Sequence, residues 1–90
     1  MDVRRRVLVS GRVQGVFYRD ACREAAQRER VRGWVRNLPD GRVEAVFEGA
    51  EPAVELLVAW CHDGPPRAVV TDVAVHSEEV AGEDGFRMIF

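Results

Sequence analysis

Residues 31–48, Val31-Arg32-Gly33-Trp34-Val35-Arg36-Asn37-Leu38-Pro39-Asp40-Gly41-Arg42-Val43-Glu44-Ala45-Val46-Phe47-Glu48, read as two strands around one turn. Val31, Gly33 and Val35 alternate with Arg32, Trp34 and Arg36, the period-two pattern of a half-buried strand. Leu38-Pro39-Asp40-Gly41 supplies turn chemistry, and Val43 to Glu48 is β-rich on its far side. The centre of the chain is therefore a hairpin.

Working outward, Phe17 to Arg30 lacks Gly and Pro and is rich in Ala, Arg, Glu and Gln, all good helix formers. Tyr18, Ala21, Cys22, Ala25 and Ala26 follow the three-and-four spacing of a buried helical stripe. Val3, Val7 and Val9 mark a half-buried strand before it. On the other side, Pro52 suits the first turn of a second helix. Val54, Leu57, Val58 and Cys61 form its inner stripe, with Trp60 at the border, and Gly64-Pro65-Pro66 ends it. Val69, Thr71, Val73 and Val75 alternate as a fourth strand. A polar segment from Ser77 to Gly85 leads to a short terminal strand, Phe86 to Phe90.

The order strand, helix, strand, strand, helix, strand predicts an α+β fold. It is a ferredoxin-like βαββαβ sandwich, an antiparallel sheet with both helices on one face and a short fifth strand. Residues 1–90 are expected to form one domain. A right-handed first crossover makes the first two strands parallel with one strand inserted between them. Their C-terminal ends then lie on one sheet edge, about 10 Å apart at the usual strand spacing. Arg19 follows the first end and Asn37 sits at the second, so the topology brings both to one place.

Composition sets the class. Of 90 residues, 47% are hydrophobic, which is globular rather than disordered, and the net charge of −2 counts against a dedicated nucleic-acid binder. All 13 basic residues are arginine. Cys22 and Cys61 form no CxxC pair and read as buried thiols of a reducing compartment, with a disulfide as the alternative. There is no signal-like apolar run and no segment of membrane-spanning length, so the expected setting is cytoplasmic, without membrane contact.

Gln14 to Arg19 links a strand to a helix, with Gly15 at its centre. Glycine permits a conformation in which successive N–H groups turn inward as an anion nest. The helix N-terminus adds unsatisfied donors and a favourable dipole. Arg19 is poorly placed against that dipole unless it awaits an anion, and its planar fork grips phosphate oxygens in pairs. The alternative is a surface arginine paired with Asp20. Asn37 reads either as a turn former or as a neutral carboxamide that donates to a phosphate oxygen and accepts from a water.

Val13-Gln14-Gly15-Val16-Phe17-Tyr18-Arg19 resembles the first signature of the acylphosphatase family. Gly33-Trp34-Val35-Arg36-Asn37, with Gly41, Val43 and Gly49, resembles the second. Tyr18 departs from the phenylalanine or methionine commonest there. The resemblance implies hydrolysis of acyl phosphates to a carboxylate and inorganic phosphate. The amides of Gln14, Gly15, Val16, Phe17, Tyr18 and Arg19, with the Arg19 guanidinium, would bind the phosphate, and Asn37 would position the attacking water. It further implies a small-molecule acyl phosphate as substrate, inorganic phosphate as product and inhibitor, a monomer, and no cofactor or metal. The alternative is a non-catalytic anion-binding or protein-interaction module on the same fold.

The remaining chemistry-bearing residues are read as structural. His62 and His76 are isolated boundary histidines, Trp34 and Trp60 packing residues, and Arg4-Arg5-Arg6 a solvated edge. An RNA-binding module would want exposed aromatics in an RNP-type motif, and none is present.

Overall fold

The central hairpin forms as the alternation requires. A computed structural model describes residues 1–90. It contains β1 (Asp2–Arg12), α1 (Tyr18–Arg28), β2 (Arg32–Asn37), β3 (Val43–Ala50), α2 (Glu51–Cys61), β4 (Val69–Glu78) and β5 (Phe86–Ile89). The sheet order is β4-β1-β3-β2-β5. Because β3 runs antiparallel to both β1 and β2, those two are parallel with β3 between them. The ferredoxin-like α+β architecture stands. One refinement concerns β5, which pairs with β2 in parallel and makes the sheet mixed.

α1 packs on β2 and β5, and α2 on β1 and β3. Val7, Val9, Val35, Val43, Ala45 and Phe47 point from the sheet into this layer. They meet Tyr18, Cys22, Ala25 and Ala26 of α1 and Val54, Leu57 and Cys61 of α2. Each large apolar side chain buried there contributes about 1.5–3 kcal/mol. This layer is what fixes the direction in which both helices enter.

Two expectations need correction. In β4 the register slips at Ser10/Gly11, a bulge that leaves Thr71 without a partner across the ladder. The slip moves the inward face by one residue, so Val70 and Val73 pack on the core while Val69 and Thr71 are exposed. Gly11 permits the close approach: a Cβ there would lie 2.1 Å from the Val69 carbonyl oxygen. Nor is Arg4-Arg5-Arg6 a solvated edge. It lies in β1, inside the sheet, and each arginine is matched with carboxylates. Arg5 meets Glu51 and Glu55 of α2 at 3.7 and 3.4 Å. On the face away from the helices, Arg4 meets Glu48, Glu78 and Glu83 at 3.2, 3.0 and 2.9 Å. Arg6 bridges Glu44 and Glu78 at 3.3 and 3.0 Å.

Glu48 is the deepest member of that lattice and is fully buried. Its carboxylate accepts the N–H groups of Ala81 (2.7 Å), Gly82 (2.9 Å) and Glu83 (2.7 Å), besides the Arg4 guanidinium. Burial acts to raise its pKa. The three N–H donors and Arg4 outweigh burial and hold the group below the ordinary 4.5. The polar segment before β5 is thereby fastened to the sheet.

Candidate functional site

The loop between β1 and α1 is built by alternation of a different kind. Val13, Val16 and Tyr18 turn inward and are buried, whereas Gly15 and Phe17 are exposed. The Tyr18 hydroxyl donates to the Cys61 carbonyl oxygen at 2.8 Å, and its ring lies 5.2 Å from that of Trp60. Three apolar anchors therefore press the loop onto the core and leave its backbone facing outward.

Backbone φ alternates in sign along this segment. Gly15 (+75°) and Phe17 (+63°) are positive, and their neighbours are not. That alternation is the one that turns successive N–H groups toward a common concave side. None of the N–H groups from Gln14 to Phe17 donates to a protein acceptor. The sequence placed Phe17 inside the helix. It is instead the residue before the first turn, in a left-handed conformation with no side-chain cap. A bulky residue held there costs about 1–3 kcal/mol, a strain that collects at binding loops.

Gln14 has a second use that sequence did not reveal. Its Nε2 donates to the carbonyl oxygens of Leu38 (2.8 Å) and Arg42 (3.0 Å). The loop is thus tied to the β2–β3 turn, whose first neighbour is Asn37. That turn is itself closed by Asp40, which accepts from the Arg42 N–H and side chain at 3.1 and 2.9 Å.

Arg19 and Asn37 come together. Both line one cavity of about 360 Å3, with Val13, Gly15, Phe17, Tyr18, Asp20 and Met88. The Arg19 guanidinium is steered by β5: Nη1 donates to the Ile89 carbonyl oxygen at 3.4 Å, and the Phe90 ring centroid lies 4.7 Å away. It makes no ion pair with Asp20, which instead faces Arg23 at 3.8 Å. The surface-pair alternative for Arg19 is therefore not what forms. Val16 does not line this cavity but a second depression beside it, and Gln14 likewise.

Sequence reasoning missed Val13, Asp20 and Met88 as lining residues. Asp20 carried a weak signal, its first-turn position next to Arg19. Met88 carried none, because its place depends on the parallel pairing of β5. The histidines stay apart: His62 and His76 are exposed, and His62 Nδ1 lies 3.1 Å from the Val58 carbonyl oxygen. Cys22 and Cys61 are buried free thiols. No group of three His, Cys, Asp or Glu side chains is arranged to hold a metal ion, and no helix is long and apolar enough to cross a membrane.

Known proteins resemble this chain in sequence and in fold. The family model described as Acylphosphatase matches residues 5–88. An acylphosphatase of Haloquadratum walsbyi is 61% identical over 85 residues, covering 94% of this chain and 91% of its own. One of Rubrobacter xylanophilus is 66% identical over 77 residues, covering 86% and 70%. The solved structure of an acylphosphatase from Coxiella burnetii superposes with a TM-score of 0.94 at 38% identity, covering 98% of this chain and 93% of that one. With the matched span embracing the strained loop, Arg19 and Asn37 alike, this chain belongs to the acylphosphatase family.

Proposed function

We propose that the protein hydrolyses the carboxyl–phosphate bond of small acyl phosphates, releasing a carboxylate and inorganic phosphate. The observation that supports it most directly is that Arg19 and Asn37 line one cavity together with Gly15 and Phe17, of a loop whose N–H groups from Gln14 to Phe17 have no protein acceptor. The N–H groups from Gln14 to Arg19 receive the phosphate oxygens, and the Arg19 fork takes two of them. Phosphoryl transfer then reduces largely to positioning and to stabilising charge spread over the equatorial oxygens. Asn37, held at the strand end, orients the attacking water through its carboxamide. Water adds to phosphorus, the bond to the acyl oxygen breaks, and its electron pair leaves on the carboxylate. The phosphate itself takes the water's proton, and a carboxylate departs without a strong general acid. Inorganic phosphate is the product and competes for the same cradle. Phe17, exposed at the rim, and Met88 offer an apolar wall to the acyl chain.

The test is hydrolysis of benzoyl phosphate by the purified protein, in the presence of chelator, with native and Asn37→Ala chains compared. Turnover survives chelation in the native protein. In the variant kcat falls strongly while the inhibition constant of inorganic phosphate changes little, the signature of an interaction made only in the transition state. Collapse of phosphate binding in a folded variant makes Asn37 a binding or structural residue. Unchanged turnover makes it a turn former.

A further inference from the structure

The arginines of this chain fall into groups. Eight of the thirteen are ion-paired: Arg4, Arg5, Arg6, Arg23, Arg32, Arg36, Arg42 and Arg87. Arg28 and Arg30 close the C-terminal end of α1, where the helix dipole favours a cation. Three remain, ion-paired with no carboxylate and outside the last turn of a helix: Arg12, Arg19 and Arg67. All three stand around the β1–α1 loop.

Arg12 and Arg67 line the second depression, about 430 Å3, with Gln14, Gly15 and Val16. Arg12 is the last residue of β1 and pairs across the ladder with Val69, which brings it beside the turn that carries Arg67. Gly15 lines both this depression and the cavity of Arg19 and Asn37. Apart from its chain neighbours, nothing lies within 4 Å of where its Cβ would be, so the space above Gly15 is open. Two like charges share one concave surface in a chain of net charge −2 that neutralises its other strand arginines. Both side chains are exposed, so solvent keeps their mutual repulsion small, and together they give this hollow a positive potential that attracts anions.

We propose that Arg12 and Arg67 form a second anion subsite that receives the far end of the substrate, so that the enzyme prefers acyl phosphates whose acyl group carries a further negative charge. This rests on the placement of the transferred phosphate in the loop beside Arg19. From there the acyl chain crosses over Gly15 and presents a carboxylate to the two guanidinium groups. Neutral acyl groups use the phosphate cradle and the apolar wall of Phe17 and Met88, without the second subsite.

The experiment compares kcat/KM for succinyl phosphate and for butyryl phosphate, in the native protein and in Arg12→Gln/Arg67→Gln. The native protein favours succinyl phosphate. The double variant loses about tenfold on it, the effect of removing charge-assisted hydrogen bonds at a partly solvated site, and stays within about twofold on butyryl phosphate. The inhibition constant of inorganic phosphate is unchanged. Arg28→Gln/Arg30→Gln removes the same charge at the other end of α1, about 14 Å along the helix, and leaves the ratio of the two substrates as it was. A ratio unmoved in Arg12→Gln/Arg67→Gln, or shifted equally by the remote pair, overturns the subsite while hydrolysis stands. A native protein that hydrolyses neither substrate overturns the hydrolase reading and the subsite together.

Discussion

Two places in this molecule set a run of consecutive backbone N–H groups beside an arginine. Around Glu48 the donors are Ala81, Gly82 and Glu83 with Arg4. At the other, beside Arg19, φ alternates at Gly15 and Phe17 and the N–H groups of Gln14 to Phe17 have no protein acceptor. The chemistry is the same, and the difference lies in the source of the anion. The first cradle takes a carboxylate from β3 of the same chain and so fastens a loop. The second faces a cavity and, in the proposed mechanism, takes its anion from the substrate. Anion-binding geometry alone therefore does not mark a functional site. What marks it is a concavity, a strained residue such as Phe17, and an arginine with no carboxylate of its own.

The comparison breaks most decisively at its two arginine-and-carboxylate partners. Arg19→Ala should lower kcat by about 10²–10³, as loss of a principal charge-stabilising donor does, with the fold intact by circular dichroism. Arg19→Lys should also be poor, because a point charge does not reproduce the bidentate fork. Near-normal turnover in either variant removes Arg19 from the mechanism. Glu48→Gln is the structural counterpart. A carboxamide has one acceptor oxygen for three N–H donors and leaves Arg4 short of a counter-charge, so stability should fall by about 3 kcal/mol. Urea unfolding checks it, and an unchanged midpoint would show that the loop is held by other contacts.

Acid sharpens the same contrast. Glu48 binds its proton less tightly when folded, so its contribution is complete above the ordinary value of 4.5 and is lost as pH falls through the lower folded value. Glu78, held down chiefly by the Arg4 hydrogen bond and opposed by burial, adds in the same direction. Thermal melts between about pH 6 and 3 should show native stability falling with acid, and Glu48→Gln should flatten that slope. The smallest effect belongs to Gly15→Ala. Nothing obstructs the added methyl group, so only the positive φ is penalised, by about 1 kcal/mol. That is a few degrees in Tm. A far larger loss of activity than of stability would show that the alternating φ pattern is what the substrate needs.

Much of this was legible in local pattern. The hairpin, both helices and the parallel relation of β1 and β2 follow from alternation, helix periodicity and crossover handedness, and together they bring Arg19 and Asn37 to one cavity. Their chemical roles are carried by resemblance and by geometry, and the variants above are what test them. The parts that sequence did not disclose depend on partners far away in the chain. Phe17 looks like a helix former until the buried Val16 and Tyr18 force the residue between them out of line. Arg4-Arg5-Arg6 looks solvated until β3 and β4 bring Glu44, Glu48 and Glu78 across it. The alternation of β4 is real but is shifted by a bulge whose cause lies in Gly11. Glu48 looks like the polar end of a strand because its donors, residues 81–83, have no periodic signature.

Cys22 and Cys61 face each other's helices in the core beneath this loop, and burial pushes both thiols up, Cys61 to about 12 and Cys22 well above its ordinary value. Thiol reagents attack the thiolate, so each cysteine is protected twice, by lack of access and by lack of charge. Labelling must wait for α1 and α2 to separate, and its rate then measures how often the platform under Arg19 opens. A ligand that binds only the closed form slows that rate in proportion to its occupancy. The two cysteines make the protein its own binding sensor, one that needs neither a chromogenic substrate nor turnover.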